Sequence, residues 1–210
     1  MGQKRGMNMF KNHLAGYQKD LIGAMGEIDH QDFEKIIVLL KEVYQNDRQV
    51  FVVGNGGSAG TANHFICDFG KNAVLNPEKR RFRILSLSDN VEKITAFGND
   101  IAFEEIFRQQ MINLLNPKDL VIVISASGSS PNLVRACEYA REKGAYIVAL
   151  SGFGGGKIQE YASVGIYTAL KSYEQIEDLH LIILHMIVCF FKYNPNYLND
   201  GALQDQRICV

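Results

Sequence analysis

The chain has 210 residues, with 22 Lys and Arg against 23 Asp and Glu and a formal net charge of −1. That length buries one good core and favours a single domain, and the balanced charge excludes the basic field that would draw nucleic acid. The start, MGQKRGMNMFKNHL, has no apolar signal-peptide core, and position 6 is not the Ser or Thr of a myristoylation pattern, so a cytoplasmic protein with no membrane partner is expected.

From about Phe10 to Asn46 apolar residues fall at helical spacing: Ile22, Met25 and Ile28, then Phe33, Ile36, Ile37, Leu39, Leu40 and Val43. Asp29-His30-Gln31-Asp32 predicts a break into two helices. This pair carries more apolar positions than one sheet face covers, so another copy of the chain is expected against it. Strands are predicted at about 49–53, 82–87, 119–125, 145–150 and 164–168. Helices are predicted near 58–69, 91–97, 101–115 and 131–143, with a short turn near 157–161 and a last helix from about 174 to 193 that stops near Pro195. Strands that alternate with helices imply an α/β fold, a doubly wound five-stranded parallel sheet flanked by helices. Ligands of such sheets bind at the C-terminal ends of the strands.

Two strand ends carry chemistry. Phe51-Val52-Val53 runs into Gly54-Asn55-Gly56-Gly57-Ser58 and then a helix. A Gly-rich turn there leaves N–H groups and a helix dipole facing outward, which suits an anion such as phosphate. The turn lacks the Gly-Lys-Ser/Thr of a nucleotide loop and the spacing of the dinucleotide fingerprint, and a tight connection needing positive φ would read the same way. The apolar run Leu120–Ile124 leads into Ser125-Ala126-Ser127-Gly128-Ser129-Ser130 and Pro131. Pro131 suits the first turn of a helix, and Ser129 or Ser130 its N-cap. One serine would do for a cap. Four serines without a lysine favour a phosphomonoester held by neutral donors, as in sugar-phosphate binding.

Two helices offer groups for catalysis. His64 and Asp68 are four apart and share a helix face, and Glu177 and His185 are eight apart, again roughly one face. Two His and two carboxylates fit a divalent metal of the zinc kind. The residues read equally as a surface or capping pair for His64 and Asp68, and as a buried neutral His185 within LHLIILHMIV. The run from Leu179 to Phe191 is too short to span a membrane and reads as a core helix. Cys67, Cys137, Cys189 and Cys209 have no paired or metal-ligand spacing, and the first three are expected as reduced core residues.

GNGGSAGTANHF and ISASGSSPNLVRACEYAREKGA resemble the two signatures of the sugar isomerase (SIS) domain family, in its phosphoheptose isomerase branch. Ser86-Leu87-Ser88-Asp89-Asn90, Gly98-Asn99-Asp100, Ala149-Leu150-Ser151-Gly152, Gly154-Gly155-Gly156 and the helix with His180 and His185 match too. The resemblance runs from about Phe51 to Lys192 and implies one SIS domain over residues 1–210, with an N-terminal helical extension at 1–48 and a C-terminal tail at 194–210.

The family's zinc ligands are a His and a Glu after the first Gly-rich loop and a Gln and a His on the C-terminal helix. By position these become His64, Asp68, Glu177 and His185, so Asp replaces Glu and Glu replaces Gln. Lys71 also stands after Gly70, where the family has Arg. The resemblance implies aldose–ketose isomerisation through an enediol, most simply of sedoheptulose 7-phosphate, with Asp68 as base and His185 as acid. It assigns the terminal phosphate to Ser58, Ser125, Ser127 and Ser130, helped by Asn55 and the loop N–H groups of Gly56 and Gly57. Asp100 is expected either at the sugar hydroxyls or as the cap of a helix from Ile101. A homotetramer is implied as well. Two other readings stay open: a non-catalytic SIS regulator of the replication-initiator-associating type, and a SIS enzyme or sensor for another sugar phosphate.

Overall fold

The structure is a computed structural model that describes residues 2–199, with side chains from residue 8; Cys209 and most of the expected tail lie outside the described residues. Two helices open the chain, α1 (Gly2–Gly26) and α2 (His30–Gln45). The break falls where Asp29 caps α2, its carboxylate accepting from the Gln31 N–H at 2.7 Å. The rest alternates: β1 (Gln49–Gly54), α3 (Gly57–Asn72), β2 (Arg83–Ser86), α4 (Val91–Asp100), α5 (Ile106–Leu114), β3 (Leu120–Ser125), α6 (Pro131–Glu142), β4 (Tyr146–Ser151), β5 (Val164–Tyr167) and α7 (Tyr173–Tyr193).

The five strands form one parallel sheet in the order β2-β1-β3-β4-β5. The side-chain period of 2 divides them between two cores. Val50, Val52, Leu120, Ile122 and Ile124 face α2, α3 and α7, among Ile36, Leu40, Phe65, Phe69, Ile183 and Phe191. Phe51, Val53, Val121 and Val123 face α5 and α6, among Phe107, Met111, Leu133 and Ala136. Both faces are covered, which is why β3 is apolar without a break. The chain leaves β1 for β2 on one side, while β3 pairs on the other, with Gly54 opposite Ile124. That reversal opens a crevice beyond the ends of β1 and β3, where the Gly-rich and Ser-rich loops meet.

Several expectations need correction. The helix expected from 101 to 115 begins later. α4 runs on to Asp100, a short 3₁₀ turn occupies Phe103–Glu105, and α5 starts at Ile106. Asp100 therefore ends one helix rather than capping another, and the Asn99 amide donates to its carboxylate at 2.8 Å. Cys67 and Cys189 are exposed rather than in the core, and only Cys137 of the three is buried, where burial pushes its thiol up to about 12. Two more, of His185 and Glu177, belong to the site.

Candidate active site

The Gly-rich turn owes its shape to close packing. A Cβ on Gly54 would lie 2.6 Å from the Ser58 carbonyl oxygen, and Gly56 takes a φ of 54° as it turns the chain into α3. The Ser88 hydroxyl donates to the Gly54 carbonyl at 2.8 Å and fixes the end of β1. The Asn55 and Asn132 amides exchange two hydrogen bonds of 2.9 Å each, which ties the two loops together. Asn132 is buried, and its part was not foreseen from sequence; its place just inside α6, facing the only Asn of the first loop, was the available signal.

Ser130 stands at the N-cap of α6, yet its side chain makes no capping bond, so its hydroxyl is free for a ligand. Ser125 and Ser127 accept from the Gly128 and Ser129 N–H groups and hold the loop's curve. Gly156 packs 2.7 Å from the Gly128 Cα as measured from an ideal Cβ, and the Ile158 N–H donates to the Gly128 carbonyl at 2.9 Å. The glycine loop that follows β4 thus braces the serine loop from behind.

Asn55, Ser58, Ser125, Ser127 and Ser130 converge on a cleft of about 180 Å³, closed on one side by Tyr173 and Glu177 of α7. Gly56 and Gly57, the N-cap and first residue of α3, connect Asn55 to Ser58 but are not among the residues that line it. Asp100 is exposed and is not among the residues that line this cleft.

Further along α3 lies a second cluster. Nε2 of His64 is 3.2 Å from Oδ2 of Asp68, as one helical turn dictates. Nε2 of His185 comes within 3.4 Å of the same oxygen and 3.0 Å of the His64 Nε2. The two rings meet edge to face, with centroids 5.0 Å apart. The packing of α3 on α7 makes this contact between residues 121 apart in sequence. His185 is not the buried imidazole expected as one reading: its side chain is 43% exposed and that of His64 51%. The buried one is His180. Five residues are about 140° around a helix, so His180 turns into the core while His185 turns to the α3–α7 seam.

Two imidazole nitrogens and a carboxylate oxygen within 4.8 Å of one another form a donor set that suits zinc. Glu177, carried over as the fourth ligand, lies instead at the serine cleft, about two turns nearer the start of α7.

Comparisons with known proteins bear on the family and the fold. The SIS domain model matches residues 15–152. The phosphoheptose isomerase of Geobacter sp. (strain M21) is 33% identical over 84% of this chain and 91% of its own length. The chain belongs to the SIS-domain family, in its phosphoheptose isomerase branch. Its fold matches the solved phosphoheptose isomerase of Francisella tularensis with a TM-score of 0.78, at 25% identity, over 89% of this chain and 98% of that one. The phosphoheptose isomerase from Neisseria gonorrhoeae matches as well, with a TM-score of 0.78 at 25% identity over 88% and 98%. In this chain the cleft lies at the sheet's switch point, and the His–Asp–His cluster lies on the α3–α7 seam beside it. Among the described residues no helix is long and apolar enough to cross a membrane.

Proposed function

We propose that the chain interconverts sedoheptulose 7-phosphate and D-glycero-D-manno-heptose 7-phosphate. The observation that carries this reading is the spacing of the two clusters along α3. Ser58 lines the serine cleft and His64 lies six residues on, about 9 Å along the helix axis. A ligand with its phosphate in the cleft and its reacting carbonyl at the His–Asp–His group must carry the two several carbons apart. A seven-carbon sugar phosphorylated at the far end does so.

In the reaction, the Asp68 carboxylate takes the proton from the carbon beside the carbonyl. The resulting enediol regains a proton at the neighbouring carbon, and His185 serves the oxygens as acid. Asp68 stands between two imidazoles, which position its carboxylate for either carbon. The serine hydroxyls, the Ser130 group above all, fix the phosphate and so place the two carbons at the carboxylate. His64, Asp68 and His185 would hold a zinc ion. A bound zinc would polarise the carbonyl and its neighbouring hydroxyl.

The working unit of this reading is a homotetramer in the cytoplasm. A purely regulatory role is not favoured: the relatives above are named as isomerases, and both imidazoles and the carboxylate are retained and in contact. The test is an isomerisation assay with sedoheptulose 7-phosphate on metal-stripped protein, with and without added zinc. Turnover that rises on zinc addition is expected. No turnover in either condition, in protein that still binds the sugar phosphate, would favour the sensor reading.

A further inference from the structure

Glu177 is the charged residue among those lining the serine cleft, and neither Lys nor Arg is among them. Its carboxylate lies on Gly57, where a Cβ would collide with both carboxylate oxygens. Gly57 is the first residue of α3, and the N-cap position, Gly56, supplies no side-chain acceptor. The N–H groups and positive dipole end of α3 thus face a carboxylate brought by α7. Among the described residues no hydrogen bond or ion pair holds this carboxylate in place.

We infer that Glu177 is a tethered anion that competes with a ligand's phosphate for the start of α3, and so sets how tightly this chain holds a phosphate monoester. The inference rests on reading the serine cleft as the phosphate site. A phosphate entering the cleft meets a like charge a few Å away, or displaces it by rotating the Glu177 side chain. A glutamine there would carry no charge and could donate an N–H to a phosphate oxygen; a carboxylate only accepts. Gly57 is what lets the carboxylate settle so close, since any other residue there would push it out.

Inorganic phosphate titrated into the full chain by calorimetry tests this. Glu177→Gln and Glu177→Ala should each lower the Kd for phosphate by about tenfold or more, the effect of removing a like charge at close range in a partly buried site. The alanine variant separates loss of the charge from gain of an amide donor. Thermal melts of both variants establish that they fold as the parent does. Unchanged or weaker phosphate binding in both folded variants overturns the inference and leaves the phosphate site standing, provided the parent binds. Adding Ser127→Ala and Ser130→Ala to Glu177→Gln should cancel the gain. A gain that survives those changes overturns the inference together with the phosphate site, because the anion is then bound outside the cleft.

Discussion

A single oxygen, Oδ2 of Asp68, sits within 3.4 Å of two imidazole nitrogens. Replacing Asp68 by Asn keeps the shape and removes the proton acceptor, and His185→Gln removes the acid. Both variants should lose at least about 100-fold in kcat while still binding sugar phosphate, because general acid–base groups contribute roughly that much or more. Asp68→Glu restores the family's side chain but pushes the carboxylate out by one methylene, into a space set by the 3.0 Å contact of the two rings. It should also lower kcat, since a misplacement of about 1 Å costs on the order of 100-fold. Steady-state kinetics with measured ligand affinities check all three. Full activity in both Asp68→Asn and His185→Gln would place the chemistry elsewhere. The pairing of His64 with Asp68 was legible from a spacing of four. The approach of His185 was not, because a contact across 121 residues depends on how two helices pack.

At the scale of elements, α7 shows how one helix serves two environments. Ile176, Leu179, Ile183 and Ile187 fill the core, and His180 is buried with them, neither ring nitrogen within hydrogen-bond geometry of a partner among the described residues. Burial lowers the His180 pKa to about 4, with the nearby Ser151 backbone opposing the shift too weakly to reverse it. The unfolded chain takes up this proton near pH 6.5, so it binds more protons than the folded one between about pH 4 and 6.5. Stability from this residue is therefore complete above pH 6.5 and falls as the pH drops toward 4, by about 3 kcal/mol in all. Denaturant unfolding of the parent and His180→Leu across that window should show a shallower acid slope in the variant. Equal slopes would mean that His180 is not the group responsible. Elements with strong periodicity were legible: the unbroken apolar run of β3, and the serine cap with Pro131 that starts α6. The start of α5 was misplaced because Asp100 before an apolar run reads as a cap, whereas the chain spends Phe103–Glu105 in a 3₁₀ turn first. The reading of Glu177 beside the metal rests on its spacing from His185 and on the resemblance, and neither speaks of the opening that Gly57 leaves for its carboxylate.

For the whole molecule the unexplained surface is α1. Met9, Phe10, Leu14 and Ile22 are exposed, although Ala24 on the same helix belongs to the core. A helix with apolar residues on a face its own chain leaves open has a strong reason to meet another copy. The His–Asp–His cluster, if it moves a proton from carbon as proposed, has the same need, since His64 and His185 are about half exposed and such a transfer is served by excluding water. Light scattering at micromolar concentration should therefore give a tetramer of roughly 94 kDa, four copies of the 23.5 kDa chain. Phe10→Ser, Leu14→Ser and Ile22→Ser together should shift the mass to a smaller species while the circular dichroism of the sheet and helices persists, because none of the three belongs to either core. A parent that is monomeric at that concentration would rule the assembly out. A triple variant that remains tetrameric would mean that other surfaces hold the copies together, with α1 left outside the interface.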